Sequence, residues 1–271
     1  MLKQPRSTST DAKVRGGNET ANEPEPQHDL DRIISTEQRA LNWLTGWSKA
    51  ILDVTLALLL LIPALPLVIL AGLLVRLTSR GPACYWQLRL GLRGKPYWIY
   101  KIRTMYQNAE EAGAQWSLPR DPRVTPVGRI LRHTHIDELP QLWNILRREM
   151  SLVGPRPERP EIVPALAEAV PGYSDRLTVL PGVTGLAQVQ LAPDTHLESV
   201  QRKVLYDRWY MQHAGFWLDL RLVLCTGLRF FGVPYCLLSW VLRIPGADKV
   251  EGGKWKPGME VQAGANVQTI R

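Results

Sequence analysis

Large apolar side chains are scarce over residues 1–30, where Ser, Thr, Pro, Glu and Asn prevail. Such a stretch cannot bury enough surface to offset its chain entropy, so a disordered tail is expected there. The pattern then changes abruptly. From Val54 to Val75 there are 22 residues without a charge, mostly Leu, Val, Ile and Ala. At a rise of about 1.5 Å per residue, that run is long enough to cross the hydrocarbon core of a bilayer. Pro63 and Pro66 sit inside it; each removes a helical hydrogen bond and clashes with the preceding turn, which predicts a kink or break near the middle. Lys49 precedes the run and Arg76, Arg80, Arg89 and Arg93 follow it, so neither end is favoured for export. A re-entrant helix that enters and leaves on the cytoplasmic side fits this distribution; a kinked helix that crosses the bilayer is the alternative. Lys49 and Asp53, four apart, are spaced to pair on one helical face at the membrane surface.

Beyond the apolar run the period shortens. Ala83 to Met105 alternates apolar and polar positions around Gly91-Leu92-Arg93-Gly94, the mark of a β-hairpin, with Lys101 and Arg103 on one face of the second strand. Apolar residues at 139, 142, 143 and 146 give a helical period over Leu139–Arg147. Pro140 is tolerated only in a first turn, which places the helix start at or near Asp137-Glu138. Leu197–Gln212 and Phe216–Phe231 also read as helices. The charge-free run from Phe230 to Leu242 is broken by Gly232 and Pro234 and is short for a span. Residues 216–242 are read as helices lying in the membrane interface, with Trp217, Tyr235 and Trp240 as belt residues; a buried helical core is the competing reading. The expected organisation is a tail (1–30), an N-terminal and membrane helix (31–80), a cytosolic domain (81–215), interfacial amphipathic helices (216–245) and a loose tail (246–271). The fold class is a membrane-associated α/β unit with a small antiparallel sheet or hairpin.

Charge sharpens this picture. The chain carries a net charge of +8, and residues 76–159 hold fifteen Lys/Arg against seven Asp/Glu. That excess suits an anionic partner: phosphate groups, a nucleic acid or an acidic membrane surface. The cysteines Cys84, Cys225 and Cys236 have neither disulfide-framework nor zinc-site spacing. No cleavable secretory signal is expected, because the apolar run starts late and has no small-residue cleavage site after it.

Asp137 and Glu138 are adjacent carboxylates at a helix start, where free N–H groups and the helix dipole favour ionised acids. Such a pair is ready to hold Mg²⁺ or to act as a nucleophile, or Asp137 merely caps the helix. Arg129, Arg132 and His135 precede the pair and Arg156 follows in Gly154-Pro155-Arg156-Pro157. A mixture of cations and carboxylates is what phosphoryl transfer needs. His133 and His135 lack the partners of a metal site.

On these residues the chain resembles the bacterial sugar transferase family, the small monotopic polyprenyl-phosphate phosphoglycosyl transferases. The likeness runs from about Lys49 to Leu228 and rests on Gly81-Pro82, Gln87–Gly91, Tyr100–Met105, Asp121–Thr125, Asp137–Gln141, Ser151–Pro157 and Pro181–Gly185, in that order. The resemblance implies that Asp137 attacks the β-phosphate of a UDP-sugar, releases UMP and passes the sugar phosphate to undecaprenyl (polyprenyl) phosphate. It also implies Mg²⁺ on Glu138 with Asp137, phosphate or nucleotide contacts from Arg132 and Arg156, and help from Lys101 and Arg103. A helix break at Pro66, with Pro63 beside it, and a site on the cytoplasmic face of the bacterial inner membrane are implied too. The pathway would be exopolysaccharide, capsule or related glycan synthesis, with a homo-oligomer left open.

The chain departs from the family pattern in three places. Ala187-Gln188-Val189 continues as Gln190-Leu191-Ala192-Pro193 where many members have Asn-Gly-Arg, so an expected phosphate-binding arginine has no counterpart. His135-Ile136 replaces the commoner Ser-Leu, and Ile102 stands where Phe is usual. Two other classes compete. A nucleic-acid-binding protein lacks any recognised motif, and nucleic acid is not an expected partner. In a non-catalytic membrane scaffold the Asp-Glu pair would be no more than a cap.

Overall fold

The computed structural model describes residues 37–109, 121–194 and 196–252. The tail expected at 1–30 lies outside these residues, as does most of 246–271; within the latter, Ala247–Glu251 forms a short helix.

After a helical stretch over 37–45, helix α1 (Trp47–Thr78) runs for 32 residues. Its buried positions include Ala50, Ala57, Ala64 and Ala71. Seven residues return an α-helix to within about 20° of its starting direction, so a narrow stripe of methyl groups faces protein along the whole helix. Small side chains there let the backbone approach closely. The other faces leave Leu58, Leu59, Ile62, Leu65, Ile69 and Leu73 exposed. By length and composition α1 could cross a membrane, and its uncovered apolar surface fits a membrane-associated protein. The helix assignment is continuous through Pro63 and Pro66. Both prolines lie on the exposed side. The helical hydrogen bond that each proline removes is therefore lost on the side that no other part of the protein covers.

Lys49 and Asp53 are buried rather than paired at a membrane surface. Their mutual distance is 3.9 Å, and Lys49 Nζ is closer to Asp219 Oδ2, at 2.5 Å. Asp219 also accepts from Trp43 Nε1 at 2.9 Å and from the Tyr210 hydroxyl at 2.8 Å. Asp53 accepts from the Leu152 amide at 3.2 Å. Five segments of chain thus meet in one buried polar knot at the start of α1.

The expected hairpin forms from β1 (Cys84–Leu90) and β2 (Pro96–Ile102), antiparallel with Tyr85 opposite Lys101. Its tight end uses the left-handed backbone of Arg93 (φ 56°) and Gly94 (φ 70°). Helix α2 (Pro126–His133) starts on Thr125, whose hydroxyl accepts from the Gly128 amide at 2.9 Å, with Pro126 in its first turn. A Cβ on Gly128 would overlap the Thr104 carbonyl, so glycine is what lets α2 lie directly against the end of the hairpin.

The segment predicted as a helix from Asp137 begins as a 3₁₀ turn, Ile136–Glu138, and becomes α3 at Gln141–Leu146. Asn144, fully buried, fixes α3 to β2. Its amide donates to the Trp98 carbonyl at 2.7 Å and to Glu149 at 2.8 Å, while its oxygen accepts from the Tyr100 amide at 3.3 Å. Asn144→Ala strands these three partners and is expected to cost about 3 kcal/mol. Chemical denaturation of the purified protein checks this.

Two strands were not foreseen. β3 (Ser151–Val153) and β4 (Gly182–Thr184) pair in parallel, and strands this short have no alternation to read. Between and after them come α4 (Val163–Ala169) and α5 (Leu186–Gln190). α6 (Leu197–His213) and α7 (Phe216–Phe230) match the expected helices almost residue for residue; α8 (Tyr235–Val241) and α9 (Ala247–Glu251) follow. One core gathers Ile99, Leu142, Ile145, Val153, Tyr210 and Leu222 from the hairpin, α3, β3, α6 and α7. α7 and α8 each bury one side, at Leu222, Cys225 and Leu238, while Trp217, Phe231 and Trp240 stand out from the other. Tyr235 is partly covered, with the Arg229 guanidinium 5.7 Å from its ring centroid.

Candidate active site

The chain reverses into the carboxylate pair at His135, whose φ of 52° is left-handed. Histidine is among the few residues that tolerate this region. The turn buries the Asp137 side chain, 7% exposed, and brings Glu138 under two cations. Lys101 Nζ, from β2, and Arg156 Nη2, from the loop after β3, both donate to Glu138 Oε1 at 2.7 Å.

Each cation is held from behind. Lys101 is set by the Asn144 link between β2 and α3. The Arg156 loop is pinned through its backbone: Arg176 Nη2 donates to the Arg156 carbonyl at 2.9 Å, while Arg176 Nε pairs with Asp207 at 2.7 Å. Arg89 Nη1 holds the Pro157 carbonyl at 3.0 Å. The loop can enter only because Gly154 and Gly182 lack side chains; a Cβ on Gly182 would overlap the Gly154 amide. On the other flank Arg132 Nε donates to the Thr104 hydroxyl at 2.8 Å.

The two neighbouring acids are tuned in opposite directions. Burial would raise Glu138, but the charges and hydrogen bonds of Arg156 and Lys101 outweigh it and hold the carboxyl well below the usual range. For Asp137, burial comes first and the Glu138 charge adds to it; together they overcome Lys101, Arg132 and Arg156 and push the carboxyl up to about 6. At Asp137 burial thus outweighs whatever the helix start contributes, although a carboxyl near 6 is still mostly ionised at neutral pH. Asp137 sits in a three-residue 3₁₀ turn, not at the end of an α-helix, and receives no capping hydrogen bond. Lys101 is itself lowered by its burial, against the pull of Glu138.

Of the residues read from the sequence, Asp137, Glu138, Lys101 and Arg156 come together, with Arg132 on the flank. Arg103 does not join them: its guanidinium turns to the far end of α1, where Nη2 donates to the Ser79 carbonyl at 3.0 Å and hydroxyl at 2.8 Å. Thr104, Asn144 and Arg176 were missed. Asn144 left no trace, since it stands across the helix from the apolar positions 139, 142, 143 and 146. No group of three or more His, Cys, Asp or Glu is poised around a metal among the described residues. A cavity of about 550 Å³ lies elsewhere, lined by Leu191, Arg202, Tyr206, Tyr235 and Trp240.

Fold and site together are those of a membrane-associated enzyme that handles phosphate groups. Residues 44–232 match the family described as bacterial sugar transferase, close to the limits read from the motifs. The chain is 44% identical over 180 residues to a UDP-glucose:undecaprenyl-phosphate glucose-1-phosphate transferase of Caulobacter vibrioides, covering 66% of this chain and 67% of the relative. It is 46% identical over 129 residues, 48% of this chain and 72% of the relative, to a Bacillus subtilis protein provisionally described as an undecaprenyl-phosphate N-acetylgalactosaminyl 1-phosphate transferase. A UDP-N-acetylgalactosamine-undecaprenyl-phosphate N-acetylgalactosaminephosphotransferase of Aeromonas hydrophila is 39% identical over 161 residues, 59% of this chain and 38% of that longer protein. The chain belongs to the bacterial sugar transferase family.

Proposed function

We propose that this enzyme transfers a sugar 1-phosphate from a UDP-sugar to undecaprenyl phosphate or a like polyprenyl phosphate. Asp137 Oδ attacks the β-phosphorus, the bond from that phosphorus to the oxygen bridging to the α-phosphate breaks, and UMP leaves with the bridging oxygen. A phosphate oxygen of the polyprenyl phosphate then attacks the same phosphorus, and the bond to Asp137 breaks to return the free carboxylate. The observation that carries this reading is the contrast within the pair. Glu138 is held through Oε1 by both Lys101 and Arg156, whereas Asp137, among the described residues, has no hydrogen bond or ion pair of its own. A carboxylate left uncommitted beside a cationic cluster is placed to attack a phosphate.

Mg²⁺ fits this donor set. It takes one or two carboxylates and completes its shell with water and substrate phosphate, and Glu138 has its second oxygen to offer beside Asp137. When bound it would neutralise diphosphate charge. The protein's own groups do the rest: Lys101, Arg132 and Arg156 attract and orient the phosphates, and the burial of Asp137 keeps water from the carboxyl-phosphate bond.

The run from 54 to 75 is read as re-entrant, at the cytoplasmic face of the bacterial inner membrane. What supports this is that Asp53 and Ser79, near opposite ends of α1, both bind the same catalytic body, through Leu152 and Arg103. The reaction would begin an exopolysaccharide, capsule or related glycan.

The test is UMP release by detergent-purified protein with undecaprenyl phosphate, Mg²⁺ and a panel of UDP-sugars. Release from one donor, stopped by EDTA, is expected. Without acceptor, a burst of about one UMP per enzyme should remain. Folded protein that releases none from any donor in the panel counts against the proposal.

A further inference from the structure

Arg103 is the predicted phosphate contact that the fold takes elsewhere, and its surroundings are unbalanced. The side chain is buried, and while Nη2 binds Ser79, Nε and Nη1 lie buried with no hydrogen-bond partner. Among the described residues no carboxylate pairs with it. The charge that bears on it is another cation, Arg76, in the last turn of α1. Burial first, and then Arg76, push its proton affinity down, yet a guanidinium stays charged in proteins. A buried charge with N–H groups idle is strongly unfavourable unless an anion meets it.

Its position suggests where that anion comes from. Ser79 ends α1, the point where the apolar run gives way to exposed Arg76 and Arg80. In a bilayer that transition falls at the level of the headgroup phosphates. The local backbone also makes room. Gly81 has φ +104°, and a Cβ there would overlap Arg103 Nη1 and come within 2.9 Å of Gln107 Oε1. Gln107 is an exposed side chain lying over the same glycine, free to swing aside and uncover the guanidinium.

We propose that Arg103 and Arg76 form a second anion site, apart from the Asp137–Glu138 pair, that takes the phosphate of a membrane lipid where α1 leaves the apolar layer. An anionic lipid phosphate is the ligand chemistry, supplied either as the phosphodiester of a bulk phospholipid or as the phosphomonoester of the polyprenyl phosphate. Only the choice of the second source rests on the proposed reaction.

The probe is short-chain phosphatidic acid titrated onto the full chain in detergent with EDTA, followed by phosphorus NMR. Arg103→Met is expected to weaken binding about tenfold, and Arg76→Gln about fivefold, with Arg103→Lys restoring part of the loss. Arg76 is exposed, so its variant carries the test if Arg103→Met does not fold. A raised KM for undecaprenyl phosphate in both variants, with the acceptor-free UMP burst unchanged, assigns the site to the acceptor. An unchanged KM with phosphatidic acid binding lost assigns it to bulk phospholipid. Phosphatidic acid binding equal in the wild type and both variants, or displaced by equimolar inorganic phosphate, overturns the proposal and leaves Arg103 as a cap on α1.

Discussion

Asp137→Asn is expected to abolish UMP release, by more than about a thousandfold, while raising the thermal midpoint of the same protein. The loss follows from the proposed mechanism, in which an amide cannot form the carboxyl-phosphate bond. The gain follows from burial. With its pKa pushed from 3.8 to about 6, the folded state binds a proton that the unfolded state has already released across that window. The contribution of Asp137 to wild-type stability is therefore complete below about pH 4 and is lost as pH rises through 6. At pH 7.5 the ionised Asp137, beside Glu138 and under Lys101, Arg132 and Arg156, costs on the order of 3 kcal/mol. Asn does not titrate and escapes that cost. In EDTA the variant should melt several degrees higher at pH 7.5 and at nearly the wild-type temperature by pH 4. A variant no more stable than wild type at pH 7.5 would mean that Asp137 is not penalised by its burial.

The neighbouring amide swap should do the opposite. Glu138→Gln leaves Lys101 and Arg156 converging on a neutral group where both now donate to one oxygen at 2.7 Å. Breaking a fully buried pair of this kind costs about 3–5 kcal/mol. Arg156 keeps 40% of its side chain in solvent, which screens part of the repulsion, so about 2 kcal/mol is expected. UMP release should fall at least about a hundredfold as the two cations lose their registration. Thermal melts at low and high salt test this, with the destabilisation shrinking as salt rises. Adjacent carboxyls, given the same chemical change, thus move stability in opposite senses because one is neutralised by its neighbours and the other is not.

Several elements were legible in the sequence: the hairpin from its alternation, α6 and α7 as helices, and α1 from its length. The carboxylate pair and its cations were legible too, because their residue types carry the chemistry directly. What was hidden depended on contacts far apart in the chain. Lys101 and Arg103, two apart, were expected on one face, but β2 ends at Ile102, and beyond the strand the alternation no longer dictates direction. Lys49 and Asp53 had the spacing of a surface pair; their partner Asp219 lies 170 residues on, invisible to any local pattern. The upward shift of the Asp137 carboxyl was not legible, because a 3₁₀ turn and an α-helix start look alike in sequence and the burial that causes the shift depends on distant contacts.

The knot of Lys49, Asp53, Trp43, Tyr210 and Asp219 bears on how separable the parts of this enzyme are. A truncated version beginning after α1 would leave Asp219 buried without its cation, holding only the Tyr210 hydroxyl, would strip the Leu152 amide of its acceptor, and would uncover the surface on which the alanine stripe sits. Nor can a generic leucine-rich anchor take its place, since larger side chains have no room along that stripe. Anchor and catalyst are one cooperative unit, and an enzyme made soluble by deleting its membrane helix would be an unfolded one.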